Sequence, residues 1–184
     1  MHLAEQYKKE VIPAMMKKFG YKNSMAVPKI LKVTANTGFG KLISGKTSEE
    51  QKKILNSILN DLAFITAQHP ILTKSKMSIA GFKIRKGLAI GVKVTLRRGK
   101  MYDFLERLIR IALPRSRDFR GIEISAFDKK GNLTIGIREQ IVFPEVSPER
   151  AKNIFGFEIT IVTNAKKREE GIELFKLLGF PIKT

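Results

Sequence analysis

Gly40-Lys41-Leu42-Ile43-Ser44-Gly45-Lys46-Thr47 satisfies the Gly-x-x-x-x-Gly-Lys-Thr pattern of a phosphate-binding loop and falls between an expected strand and an expected helix. Read that way, the chain would be a nucleoside triphosphatase that cradles phosphates on backbone amides and Lys46 and holds magnesium with Thr47. Two features oppose that chemistry. No later run of four apolar residues followed by Asp supplies a second magnesium carboxylate, and Leu42-Ile43 is bulky for a loop that must wrap a phosphate. Other catalytic groups are sparse. His2 and His69 are the two imidazoles and lie far apart, and the chain has no cysteine, so neither a triad nor a His-rich or thiolate metal site suggests itself. Asp103 and Glu106 stand one helical turn apart, yet Glu106 also precedes Arg110 at i,i+4 spacing, which makes a surface ion pair the better reading. The expectation is a protein without catalytic residues, cofactor or metal.

The basic side chains offer a different chemistry. Lys and Arg number 35 against 17 Asp and Glu, a formal charge of +18, and the excess is uneven. Residues 1 to 102 hold 20 basic and 5 acidic side chains, whereas residues 103 to 184 hold 15 and 12. No acid interrupts the spans between Glu10 and Glu49 or between Asp61 and Asp103, which carry seven and nine cations. Unrelieved positive charge on a chain that is 43% hydrophobic, and so able to fold, implies a polyanionic partner, because counterions released from phosphates drive association. A membrane surface would attract the same charge, but no apolar run approaches the ~18 residues of a spanning helix. Met1 to Lys9 holds no signal-peptide core, so a cytoplasmic chain is expected.

These cations need elements to position them. Leu3, Tyr7, Val11, Met15 and Phe19 recur at helical spacing, with Pro13 set to kink or divide the helix and Gly20 to stop it. From Lys29 to Thr37 the chain alternates, with Leu31, Val33 and Ala35 on one side and Lys32, Thr34 and Asn36 on the other. Thr47 to Glu50 reads as a capping box opening a helix striped by Ile54, Leu55, Ile58, Leu59, Leu62 and Ile65, which His69-Pro70 should end. Leu88, Ile90, Val92, Val94 and Leu96 alternate with Ala89, Gly91, Lys93, Thr95 and Arg97 in the clearest strand. A helix from about Met101 to Leu113 is stopped by Pro114, and short strands follow at Leu133 to Arg138 and Phe157 to Thr163. The last helix uses Ile172, Phe175 and Leu178, with Gly179 at its end.

Helices and strands mix without regular βα alternation, which predicts an α+β fold, a mainly antiparallel sheet with helices on one face, in a single domain over residues 1 to 184. If the two best strands share that sheet, Lys32, Thr34, Asn36, Lys93, Thr95 and Arg97 line its open face. Such a face grips phosphates with cations and bonds riboses or bases with short polar groups. Residues 73 to 87 read as a long projecting basic loop carrying Lys74, Lys76, Lys83, Arg85 and Lys86 with no acid. Its Met77, Ile79 and Phe82 are expected to pack as a cluster that stiffens it, the alternative being that Phe82 stacks on a nucleotide.

Several stretches, in order along nearly the whole chain, resemble the bacterial-type ribosomal protein five family of the large subunit. They are Asn36 to Gly40, Thr66 to Pro70, Ser78 to Lys83, Lys93 to Arg97, Ala112 to Arg115, Arg117 to Gly121, Phe127-Asp128 with Gly131-Asn132, Glu139-Gln140 with Phe143 to Glu145, Ile159 to Lys166 and Leu177 to Pro181. Departures are Ala67 for a usual Gly, Leu133 for a usual aromatic that could offer a stacking ring, and Asn164 for a usual Thr. The resemblance implies a component of the central protuberance that binds 5S rRNA, helps attach it to 23S rRNA, and contacts P-site tRNA and the small-subunit ribosomal protein thirteen. It implies 5S rRNA contact at Asn36, Gln68, Thr95 and Arg97, tRNA contact by the basic loop, and further rRNA contact at Arg115, Arg117 and Arg120. Glu139, Glu145 and Glu149, in the nearly balanced second half, are candidates for the small-subunit contact. For Asn36 and Gln68 the plain reading is that they close a turn or a helix end. Against a fixed site stands a nucleic-acid chaperone without sequence or shape preference.

Overall fold

A computed structural model of the chain describes residues 2–117, 119–147, 149 and 153–183. Asp118, one residue of the Arg117 to Gly121 stretch, lies outside the described residues. The chain opens with helix α1 (Leu3–Gln6), a π-helical turn at Tyr7–Val11 and helix α2 (Ile12–Phe19), burying Leu3, Val11 and Met15. Pro13 sits at the start of α2, and the amide just before it, that of Ile12, donates to the Tyr7 carbonyl five residues back. Widening the turn there accommodates a residue that has no N–H and whose ring would crowd the carbonyl four residues back. Gly20 ends the helix with φ of 71°.

The same device recurs at Pro114. After the elements described next, helix α5 (Arg98–Arg107) passes through a π turn at Leu108–Ala112 into α6 (Leu113–Arg115), and the Leu113 amide donates to the Leu108 carbonyl. The helix therefore starts three residues before Met101 and runs past Pro114 to Arg115, because the wider turn absorbs a proline that would break a regular α-helix.

Between these helices come β1 (Ile30–Gly38), the single turn α3 (Gly40–Ile43), α4 (Ser48–Thr66), β2 (Ile71–Lys74) and β3 (Ala89–Leu96); after them come β4 (Leu133–Ile137), β5 (Phe157–Thr163) and α7 (Arg168–Leu177). The strands form one five-stranded sheet in the order β2-β3-β1-β5-β4, and the fold is α+β as expected. The capping box of α4 is present: the Glu50 amide donates to the Thr47 hydroxyl at 3.4 Å and the Thr47 amide to the Glu50 carboxylate at 3.0 Å. Ile54, Ile58, Leu62 and Ile65 are buried along α4, with Leu55 and Leu59 half-buried at the stripe's edges. The helix ends at Thr66, earlier than His69-Pro70, because Ala67 turns left-handed at φ 50°.

The chain divides into two compact units, one of Met1–Val33, Leu96–Ile135 and Ile159–Thr184, the other of Thr34–Thr95 and Gly136–Glu158. In the first, α1 lies against α5 and α2 against α7, where Lys18 pairs with Glu173 at 2.7 Å. The Phe175 ring meets Phe127 and Phe180 edge-on at centroid distances of 5.6 and 5.0 Å. Leu133 is fully buried in this unit, so it supports the core. Asn164 accepts from the Lys29 amide at 2.6 Å, and Asp128 closes a turn by accepting from Asn132 and Lys130. Glu106 pairs with Arg110 at 2.8 Å, the ion pair that the i,i+4 spacing predicts.

The second unit holds α3, α4, β2 and most of β3. Fully buried Gln140 fastens its far segment, donating to the Asn153 carbonyl at 2.6 Å and accepting from the Phe155 amide at 2.9 Å.

Candidate nucleic-acid interface

Alternation along β1 and β3 separates polar from apolar side chains. Val33, Ala35 and Thr37 of β1 are buried, as are Val92, Val94 and Leu96 of β3. Between them, Lys32, Thr34 and Thr95 are half-buried while Asn36 and Lys93 are exposed. Since β1 and β3 are neighbours, the second unit brings Thr34 and Asn36 beside the strand that carries Lys93 and Thr95. Lys32 and Arg97 belong to the first unit, Lys32 early on β1 and Arg97 exposed at the N-cap of α5. Leu31 departs from the expected pattern. It is 45% exposed while its neighbour Ile30 is buried, so the apolar phase of β1 is reversed at its first residues and becomes regular only from Val33 onward.

Asn36 makes no side-chain hydrogen bond within the described residues, so it closes no turn. Gln68 behaves differently. Its side-chain amide donates to the Thr95 carbonyl at 3.1 Å, while its own backbone carbonyl accepts from the Thr66 hydroxyl at 3.1 Å. Gln68 thus ties the end of α4 to β3 and is at once a helix-end clasp and a polar group at the margin of the face. A residue that the spacing does not single out is Ile71, 74% exposed and opposite Lys93 in the antiparallel β2–β3 register, hence on the same face. Gly91 reads in the sequence only as one more small residue in an alternating run. A Cβ there would lie 2.5 Å from the Thr73 hydroxyl and 2.9 Å from the Thr37 carbonyl, so it permits the close approach of three strands.

The basic segment starts later than residue 73, since Thr73 and Lys74 belong to β2, with a register shift between them. Its base is closed by the Ser75 amide on the Leu88 carbonyl at 2.8 Å and the Gly87 amide on the Ser75 carbonyl at 2.9 Å. Ile79 and Ile84 exchange two backbone hydrogen bonds around a 3-10 turn at Ala80–Phe82. Lys74, Lys76, Lys83, Arg85 and Lys86 are all exposed. The expected apolar cluster is absent: Met77 and Phe82 are 69% and 68% exposed and Ile79 is also exposed. Hydrogen bonds to the backbone stiffen the loop instead, with the Lys86 amide on the Ser78 hydroxyl and the Ser44 hydroxyl on the Phe82 carbonyl.

The Gly40 to Thr47 pattern does not form a phosphate-wrapping loop. Gly40–Ile43 is a helical turn at its start, and Thr47 spends its hydroxyl on the α4 cap, donating to Glu50 at 2.9 Å. Elsewhere, Arg115 ends α6 exposed, and Arg117 and Arg120 are exposed beyond it. Glu139 and Glu145 are half-buried and Glu149 is exposed, all three in the second unit. No helix among the described residues is long and apolar enough to cross a membrane.

Comparison with known proteins finds relatives along nearly the whole chain. Residues 23–85 match the family model described as Ribosomal protein L5, and residues 89–182 match the model of the same ribosomal family's C-terminus. The large ribosomal subunit protein uL5 of Halothermothrix orenii is 51% identical over 179 residues, covering 97% of each chain. That of a Geobacter species is 51% identical over 182 residues, 99% of this chain and 98% of the relative, and that of Clostridium botulinum is 49% identical over 179 residues, 97% of each.

Proposed function

The chain belongs to the ribosomal protein L5 family, a non-enzymatic part of the large ribosomal subunit, and on that premise we propose that its open sheet face binds 5S rRNA and helps attach it to 23S rRNA in the central protuberance. The observation that carries the proposal is the alternation on adjacent β1 and β3, which turns Thr34, Asn36, Lys93 and Thr95 away from the core. Gln68 extends this set within the second unit, and Lys32 and Arg97 of the first unit are proposed as further contacts. Lys32, Lys93 and Arg97 have no ion-pair partner among the described residues, so their charge is available to phosphates. Arg115, Arg117 and Arg120, exposed at and beyond the end of α6, are further candidates for rRNA contact.

The double change Asn36→Ala with Thr95→Ala tests the face. It should weaken 5S rRNA binding by about 2 kcal/mol, roughly thirtyfold, in filter binding while the fold stays intact. Unchanged affinity removes the face from the account. A chaperone without a fixed site would instead bind unrelated RNA equally well at matched salt, which one competition titration decides.

The loop between β2 and β3 is assigned to P-site tRNA, supported by its five cations on a hydrogen-bonded hairpin that no acid interrupts. Glu139, Glu145 and Glu149 are assigned to the basic small-subunit ribosomal protein thirteen, supported by their place in one acid-bearing segment of an otherwise cationic unit. Charge reversal at Glu145 and Glu149 should loosen subunit association at low magnesium. Unaltered sedimentation profiles would put that contact elsewhere.

A further inference from the structure

A cleft of about 400 Å³ opens between α3 and the 3-10 turn, lined by Gly40, Lys41, Ser44 and Gly45 on one side and by Gly81 to Ile84 on the other. Its size falls within the range of small-ligand sites, roughly 300–1,000 Å³. Both walls come from the two acid-free spans of the sequence, so no carboxylate stands in the lining and two lysines, Lys41 and Lys83, do. That charge suits an anion. The wall also presents an aromatic face, since the Phe82 ring is largely exposed and packs in no apolar cluster. A cation pair beside an open ring is the combination by which proteins hold single-stranded nucleic acid, phosphate on the cations and base on the ring.

The turn that carries the ring is already held in place. Ile79 and Ile84 pair beneath it, the Lys83 amide donates to the Ala80 carbonyl at 3.0 Å, and the Ser44 hydroxyl reaches across the cleft to the Phe82 carbonyl at 3.2 Å. Three glycines in the lining leave room for a planar base; a Cβ built at Gly45 or Gly81 meets nothing within 4 Å. The phosphate-loop-like pattern thereby acquires a role other than nucleotide hydrolysis: its small residues form one wall of this cleft.

We propose that the cleft receives one unpaired RNA nucleotide, the base stacked on Phe82 and the adjoining phosphate held by Lys41 and Lys83. The inference rests on the reading that this loop meets RNA, and it adds which residues do so and in what form they accept it.

The test uses the full chain and an RNA trinucleotide carrying 2-aminopurine at its centre, whose fluorescence is quenched on stacking. The wild type should quench it, Phe82→Tyr should retain binding, and Phe82→Leu should weaken it by about tenfold. Lys41→Ala should weaken binding and flatten its salt dependence. Equal binding by wild type and Phe82→Leu overturns the proposal, as does equal affinity for the same sequence held in a duplex. Tighter binding of ATP than of the trinucleotide also overturns it, since the cleft would then serve a free nucleotide. Deletion of residues 78–85 in assembled ribosomes separates this proposal from the tRNA assignment. Lost tRNA affinity with an unresponsive trinucleotide sinks the cleft alone, whereas trinucleotide binding through Phe82 with unaltered tRNA affinity sinks the tRNA assignment alone.

Discussion

The side-chain amide of Gln68 donates to the backbone carbonyl of Thr95 at 3.1 Å, joining the segment that ends α4 to the strand that carries Lys93. A single side chain thereby contributes to both the fold and the candidate interface. Gln68→Ala should lower stability by about 1 kcal/mol, the usual net worth of such a bond, read as a shift in denaturant midpoint with unchanged slope. Because the bond ends on the Thr95 backbone carbonyl, Thr95→Ala leaves it in place, so the stability losses of Gln68→Ala and Thr95→Ala should add. A Gln68→Ala loss that vanishes in the Thr95→Ala background would show that the threonine side chain, not its carbonyl, holds Gln68.

Ala67 holds φ at 50°, a left-handed conformation that costs a residue with a Cβ roughly 1–2 kcal/mol. Being exposed, it repays none of that through packing. Ala67→Gly should therefore stabilise the chain by about 1 kcal/mol, a rise in Tm of about 2–4 °C. Gly20, at φ 71° with open space around it, supplies the mirror experiment, and Gly20→Ala should cost a similar amount. If both variants melt with the wild type, backbone strain is not what distinguishes these positions.

Such effects mark the limit of what the sequence discloses. Periodicity places α4, β1, β3, β4 and β5, because each buries one face and repeats at the helix or strand period over several residues. It foresees the division of the first helix near Pro13 but misplaces the end of the helix at Pro114, where a π turn in the residues before the proline leaves no compositional trace. The polar side of β1 and β3 is legible, but its neighbour Ile71 is not, since a four-residue strand is too short to show a period. Met77, Ile79 and Phe82 mislead for a related reason. Apolar type implies burial only where a partner surface exists, and along this hairpin the hydrogen-bonded backbone does the stiffening.

Gly91 lies between Thr73 and Thr37 with no room for a methyl group, and the Thr37 obstacle is a backbone carbonyl that cannot rotate away. Gly91→Ala should destabilise the chain by about 1–3 kcal/mol by forcing β3 from its neighbours. Because Lys93 follows two residues later, 5S rRNA affinity should fall with it even after correction for unfolded protein. A variant as stable as the wild type would mean that the strands part easily here.

Asp61 places its Oδ2 out of solvent with no hydrogen-bond partner among the described residues. Burial raises its carboxyl above the usual carboxylate value, and the neighbouring Gln140 side chain offsets this only in part. A folded-state value above the unfolded one means that stability is full at low pH and is lost as pH rises through the folded value. Asp61→Asn removes the charge that burial disfavours. It should melt above the wild type at about pH 7 and together with it near pH 3, below the unfolded carboxylate value of about 3.9. A constant difference across that range would assign the effect to packing rather than ionisation.

Deleting residues 78–85 should separate the two regions proposed to meet RNA. The deletion removes the 3-10 turn together with Lys83 and Arg85, while Lys74, Lys76 and Lys86 stay behind. The closing bonds lie outside it: Ser75 to Leu88, Gly87 to Ser75, and the β2–β3 register from Ile71 opposite Lys93 to Lys74 opposite Ala89. A shortened connection can therefore join the strands without disturbing Lys93 or Thr95, and 5S rRNA binding and particle assembly should survive. P-site tRNA should bind more weakly, and the deficit should shrink as salt rises, because exposed phosphate contacts are the ones most easily screened. The opposite result, lost 5S rRNA binding with tRNA unaffected in assembled particles, would place the hairpin in the rRNA site and end this division of labour.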